Sequence, residues 1–301
     1  MKASTAGNKS MQLYERVVIT GGGGMLAQDL DRVLRSRGAE PVLARHSDCD
    51  IADPSQVARY FKAHRPTLLL NCAADTAVDL CEERPERANL INGQGVGNLA
   101  EACLGYGTRL VHYSTDFIFN GQNDRPYRPD DIPDPLSAYG KSKLVGEENL
   151  RRVGPPGWIT VRTAWLFGRH GNCFPRVVLE RARAGHVLKV VDDQIGCPTY
   201  SLDLAVATFA LLDRGANGIW HVTNSFPTSW FEFAKAILSE FAVSAEVTPI
   251  STSQWITMRP KQAKRPKFSV LDLDAYAAFT GEKLRDWRAA LHDYRTECEK
   301  G

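Results

Sequence analysis

The sequence has no apolar run near the roughly 20 residues that a membrane-spanning helix needs. Its opening stretch, MKASTAGNKSMQLYER, lacks the apolar segment of a signal peptide and reads as a frayed leader, with Met11 as an alternative start. There is no C-x-x-C pair. The seven cysteines (49, 72, 81, 103, 173, 197 and 298) are scattered and odd in number, which fits reduced cytosolic thiols rather than a disulfide frame or a zinc site. The seven histidines show no H-E-x-x-H or comparable ligand spacing, so no metal-ligating residue is assigned. A net charge of +2 is too small to argue for nucleic acid, and no repeat or low-complexity tract breaks the chain. These absences leave an ordinary globular chain, 43% hydrophobic and 24% charged, whose 301 residues suffice for one large domain or two interleaved ones.

The first half alternates short β-rich runs with helical patterns. Strands are expected at 16–21, 40–45, 67–74, 109–119 and 158–168, and helices at 25–38, 54–66, 85–107 and 135–153. Continuous apolar strands alternating with helices predict a parallel sheet covered on both faces, a Rossmann-type doubly wound α/β fold. After residue 168 the rhythm breaks. Helical patterns cover CFPRVVLERARAG, TYSLDLAVATFALLDRG and SWFEFAKAILSEFA, one more strand is expected at 217–224, and a last helix near 282–298. A basic loop, TMRPKQAKRPKF, lies between the last two helices. The chain therefore reads as a dinucleotide-binding domain over 14–168, to which 199–224 returns. A smaller interleaved α/β substrate lobe takes 169–198 and 225–301.

TGGGGMLAQDL, residues 20–30, falls between the first strand and the first helix. It reads as G-x-x-G-x-x-A through Gly21, Gly24 and Ala27, or as G-x-G-x-x-A through Gly22 and Gly24. Either way, glycines permit positive φ and bring backbone N–H groups and a helix N-terminus to a pyrophosphate. The second strand ends in VLARHS, with no carboxylate before Asp48 to hold a ribose 2′-hydroxyl. Arg45 at that tip suits a 2′-phosphate and favours NADPH over NADH, unless it is only a surface cation. DCDIAD puts Asp50 and Ile51 where an adenine ring should lie, after the third strand.

SAYGKSK, residues 137–143, spaces Tyr139 and Lys143 four apart on one helix face, about 6 Å along the axis. The plain reading is a half-buried tyrosine beside a solvated lysine. The chemical reading is an ammonium that lowers the phenol's pKa, which suits a group that gives up a proton near neutral pH. The pair lies one crossover after YSTD and one before RTAW, so all three converge at the carboxyl edge of the sheet, where α/β folds bind ligands. Tyr139 is then the acid in a carbonyl reduction. Lys143 tunes it and holds the nicotinamide ribose, Thr115 hydrogen-bonds the developing oxyanion, and Asp116 orients substrate or relays protons.

Taken together, TGGGGMLA, DIAD, NCAADTAVD, YSTDFIFNG, AYGKSKLVGE, RTAWLFG, GNCFPRVVL, VVDDQIGCPT and AKRP resemble the extended short-chain dehydrogenase/reductase superfamily. Within it they resemble most the dTDP-4-dehydrorhamnose reductase family, over roughly residues 16–298. The chain departs from that pattern at Ala27, in place of the usual third glycine, and at Phe117, where tyrosine often follows STD. Cys173 and Cys197 interrupt motifs that otherwise match.

The resemblance implies NADPH-dependent reduction of the C4 keto group of a nucleotide-linked 4-dehydro-6-deoxyhexose, with dTDP-4-dehydro-L-rhamnose going to dTDP-L-rhamnose; NADH stays open as coenzyme. The implied coenzyme contacts are Gly21, Gly24, Met25, Leu26, Arg45, Asp50, Ile51, Ala73, Ala74, Tyr139 and Lys143. The implied substrate contacts are Thr76, Val78, Thr115, Asp116, Trp165, Asn172, Gln194, Thr199 and Arg265. Trp165 reads equally as a core residue, Asn92 as the superfamily's helix asparagine or a structural one, and Thr76 and Val78, beside Asp79, as loop packing. The basic run at 259–267 is a diphosphate contact or a solvated face. A cytoplasmic enzyme is expected, with a homodimer among its allowed assemblies and no membrane or nucleic-acid partner. Some relatives hold a divalent ion between subunits; nothing in the sequence identifies its ligands here. Two rivals stand beside this reading. One is a non-catalytic NADP-binding regulatory subunit similar to the methionine adenosyltransferase β subunit, and the other is a reductase of a different sugar nucleotide.

Overall fold

A computed structural model describes residues 14–300, so most of the leader, Met11 included, lies outside the described residues. The central sheet has six parallel strands in the order β10-β5-β4-β3-β1-β2. They are β1 (Val17–Thr20), β2 (Val42–Ala44), β3 (Leu68–Asn71), β4 (Arg109–Thr115), β5 (Ile159–Thr163) and β10 (Gly218–His221). The side chains of β1, β3 and β5 are buried throughout, as strands covered on both faces must be. Helices α1 (Met25–Ser36) and α8 (Ser201–Asp213) cover one face, and α2 (Pro54–His64), α5 (Gly95–Tyr106) and α6 (Ala138–Val153) the other. This is a doubly wound Rossmann-type sheet.

The expected helix at 85–107 is three pieces: α4 (Pro85–Asn89), a wide π turn (Leu90–Gln94) and α5. The extra residue of such a turn commonly marks a functional site. Here it turns Asn92 inward, where its amide donates to the Asp75 carbonyl at 2.9 Å and to Ser142 Oγ at 3.0 Å, and its Oδ1 accepts from Asp75 N–H at 2.8 Å. The structural reading of Asn92 is the one this geometry supports. The expected strand at 109–119 ends at Thr115, where the Thr115 side chain caps a 3₁₀ turn over Asp116–Ile118. α6 starts at Ala138 rather than 135, capped by Ser137 Oγ on Gly140 N–H at 3.1 Å.

The expected strand at 158–168 is broken. Trp165 has φ of +46°, which turns the chain out of the sheet, and β6 (Leu166–Phe167) pairs instead with β9 (Thr199–Tyr200). From there a second core forms around Phe167, Tyr200, Phe233, Trp287 and Tyr294. It is built from α7 (Phe174–Arg183), α9 (Trp230–Glu240) and α12 (Trp287–Glu299) with the parallel pair β7 (Leu188–Val191) and β12 (Val247–Ile250). Neither strand of that pair was anticipated from the sequence. Their alternation is weak, and each finds its partner about 60 residues away in the chain. Among the described residues no helix is long and apolar enough to cross a membrane.

Candidate active site

The loops that follow β1, β2, β3, β4 and β5 open at one edge of the sheet. Asp50 and Ile51 follow the second strand, one earlier than the sequence reading put them, and Thr76, Val78 and Asp79 follow the third. After β1, Gly21 takes φ of +67°. A Cβ there would sit 2.7 Å from the Cys72–Ala73 main chain, so only glycine lets the first and third loops touch. A Cβ on Gly23 would meet nothing within 4 Å, and Gly23 and Gly24 are exposed. Gly24 precedes α1 with no side-chain cap, which leaves the helix's first N–H groups free. An open glycine turn against an uncapped helix start fits a dinucleotide diphosphate. Met25 and Leu26 open that helix, with Leu26 buried and Met25 against Gly168.

Arg45 is exposed at the end of β2 and has no ion-pair partner among the described residues. Asp50 Oδ1 accepts from Ala52 N–H at 3.0 Å. Ile51 turns into the core against Gly95, so only its backbone can face a ligand. Ala73 and Ala74 form a half-buried shelf beyond β3, the first held by its N–H on Asn71 Oδ1 at 3.2 Å.

Thr115 ends β4, and its hydroxyl stands beside the Tyr139 phenol and donates to Asp116 Oδ1 at 3.1 Å. Phe117 closes on Tyr139 edge to face, centroids 5.8 Å apart. The phenol is raised, not lowered as the Tyr–Lys spacing predicted. Burial of the hydroxyl raises the Tyr139 pKa, Thr115 opposes it, and Asp116 adds to the rise. Lys143 lies elsewhere: its Nζ is buried, donates to the Tyr113 carbonyl at 2.6 Å and sits 3.3 Å from His112 Nε2. One helical turn aligned the two Cα positions, but the lysine stem lies back under the sheet edge. Burial lowers Lys143 to about 8 and raises Asp116 to about 6. The Oδ2 of Asp116 and the hydroxyls of Thr163 and Thr223 are buried without a protein partner.

The remaining expected substrate residues spread over two loops and the second lobe. Trp165 stacks on Trp230 at 3.6 Å, both half-buried, and Trp230 carried no signal in the sequence beyond its place at a helix start. Asn172 and Thr76 are exposed and Val78 half-buried at the start of α3 (Val78–Glu83). Gln194 is buried and donates to Thr252 Oγ1 at 3.1 Å, and Thr199 is buried with its hydroxyl on the Cys197 carbonyl at 3.4 Å. Both polar groups are therefore engaged within the protein. Arg265 Nη2 donates to both carboxylate oxygens of Asp79, at 3.0 and 3.2 Å, tying the basic loop to the first turn of the short helix after β3. No group of three or more His, Cys, Asp or Glu side chains suited to a metal occurs among the described residues.

The family model for the RmlD substrate binding domain matches residues 15–299. The chain is 39% identical to the spore coat polysaccharide biosynthesis protein SpsK of Bacillus subtilis, over 94% of this chain and 97% of that protein. It is 37% identical to a dTDP-4-keto-6-deoxy-D-glucose reductase of Streptomyces niveus, over 93% and 96%. The solved structure of dTDP-4-dehydrorhamnose reductase from Bacillus anthracis in complex with NADP superposes with a TM-score of 0.89 at 34% identity, covering 94% of this chain and 99% of that one. With matches of this extent at both the sequence and the structural level, the chain belongs to the dTDP-4-dehydrorhamnose reductase family.

Proposed function

We propose that the protein reduces the C4 keto group of a nucleotide-linked 4-dehydro-6-deoxyhexose with NADPH, forming dTDP-L-rhamnose from dTDP-4-dehydro-L-rhamnose. One observation carries the reading: at the carboxyl edge of the sheet, the Thr115 hydroxyl and the raised Tyr139 phenol stand together beyond an open glycine turn. A reduced nicotinamide coenzyme, when bound, supplies hydride. Tyr139 holds its proton at neutral pH because burial disfavours phenolate, and it donates that proton to the keto oxygen as negative charge develops there. Thr115 hydrogen-bonds the same oxygen. Asp116, half-ionised near pH 6, accepts the Thr115 proton while the site is empty, and that proton would turn to the keto oxygen once substrate is bound. Gly21 and Gly24 would cradle the coenzyme diphosphate, Arg45 a 2′-phosphate, and Trp165 with Trp230 a wall of the sugar pocket. Arg265 would exchange part of its hold on Asp79 for a substrate diphosphate.

Tyr139→Phe should leave NADPH binding intact and lower turnover of a dTDP-4-keto sugar by roughly 10²–10⁴-fold. Unchanged NADPH oxidation by the variant removes Tyr139 from the acid role. A second substrate has support in the resemblance to the Streptomyces niveus reductase, named for dTDP-4-keto-6-deoxy-D-glucose, and in Phe117, which lacks a hydroxyl toward the sugar. Assaying both keto sugars decides between them. NADPH binding without turnover of any keto sugar, together with co-elution with methionine adenosyltransferase, supports a regulatory subunit instead. Light scattering tests the homodimer.

A further inference from the structure

A row of polar side chains crosses the apolar sheet. Thr20 pairs with Asn71 across β1 and β3, Asn71 with His112 across β3 and β4, and His112 with Thr160 across β4 and β5. All four are buried, at 2% exposure or less. Neither the coenzyme cradle nor the proton donor uses them. Buried polar groups in a sheet core are costly unless paired, and most of this row is paired.

The pairing fixes protons. Asn71 Oδ1 accepts from Thr20 Oγ1 at 2.6 Å and from the Ala73 N–H at 3.2 Å. The Ala73 amide can only donate, so the oxygen of Asn71 must face it. The Asn71 amino group then points at His112 Nδ1, 3.1 Å away, and Nδ1 must accept. Burial keeps His112 neutral, so its single proton sits on Nε2. That N–H faces Lys143 Nζ at 3.3 Å. An ammonium there would set donor against donor. A neutral amine accepts from Nε2–H and still donates to the Tyr113 carbonyl. The other groups facing Lys143 pull against this: Glu147 on the same helix, itself paired with Arg162 from β5, and Cys72 beyond β3 both favour the cation.

We infer that His112 is a positioning residue for the reaction. Its tautomer, locked through Asn71, sets an N–H against the Lys143 amine, which loosens the amine's hold on its proton and keeps it retracted on the Tyr113 carbonyl until bound ligands draw it forward. This rests on the reductase reading only for its kinetic arm.

The first test uses the coenzyme-free protein labelled with ¹⁵N-histidine, with His112→Gln assigning the resonance. The expected spectrum at pH 7 is the neutral Nε2–H tautomer; an Nδ1–H or doubly protonated ring overturns the inference. This arm reads the wild-type protein and needs no substrate, so it stands apart from any failure of the reductase reading. The second follows Lys143 by ¹³C NMR titration and the alkaline limb of kcat/KM. Glutamine presents either an oxygen or an amide N–H to the amine, which frees the lysine from a fixed donor. In His112→Gln both the titration and the limb should rise by about one pH unit. A folded variant in which neither moves shows a purely structural histidine and overturns the inference.

Discussion

Tyr139 and Lys143 are both pushed by burial, in opposite senses: the phenol is held protonated and the ammonium is made acidic. If the cationic form of Lys143 serves the reaction, kcat/KM falls as pH rises through about 8. A profile flat to pH 10 contradicts this. The same shift has a stability consequence. Lys143 titrates at about 8 when folded and 10.5 when unfolded, so between those values the unfolded chain binds more protons. Its contribution to stability therefore rises with pH through that window, by up to ~1.4 kcal/mol per pH unit. Buried tyrosines and cysteines with raised values act oppositely above pH 9, so the measurement is the difference between wild type and Lys143→Met in urea at pH 8 and pH 10.5. No change in that difference means Lys143 is not shifted. The sequence showed the Tyr–Lys spacing, but it could not show where four methylenes would carry the charge.

At the level of elements, α6 decides the site because it is pressed against its neighbours. A Cβ on Gly146 would strike the Asn92 carbonyl of the π turn, and one on Gly140 the carbonyl of Phe117. Gly146→Ala would gain up to about 1 kcal/mol from helix propensity alone. We expect it instead to lose about 1–3 kcal/mol by overpacking, measured by chemical denaturation. A stabilised variant would show that the two backbones can part freely. Behind the same helix, Glu147 pairs with Arg162 at 2.7 Å, both almost fully buried. Arg162 also donates to the Pro129 carbonyl at 3.0 Å, anchoring the proline-rich loop before α6. Arg162→Met strands a buried carboxylate and should cost about 3–5 kcal/mol, while Arg162→Met with Glu147→Leu should recover much of it. Equal losses in the single and double variants would place the effect in the loop anchor. The glycine turn was legible because its residue types are required locally. The break at Trp165 was not, since a positive φ at tryptophan is imposed by pairing with β9 and by stacking on Trp230.

Across the whole molecule, the site lies between two cores, and the Asp79–Arg265 pair ties the basic loop of the second lobe to the sheet edge. Ligands that bind only the folded state raise its melting temperature. NADPH should do so more than NADH, and Arg45→Ala should weaken NADPH by roughly tenfold, about 1.4 kcal/mol, while sparing NADH. Equal loss for both coenzymes places Arg45 away from the 2′-phosphate. Alternating apolar strands and helical stripes, a glycine turn after the first strand, and the Tyr–Lys spacing were all determined by the sequence itself, because each depends on residues within a turn or two of one another. Only the tertiary structure decided the second lobe's parallel pair, the retraction of Lys143 onto Tyr113, and the polar row from Thr20 to His112. Those depend on which strands lie side by side and on how deeply a charge is carried from water. Contacts between segments far apart in the chain settle both.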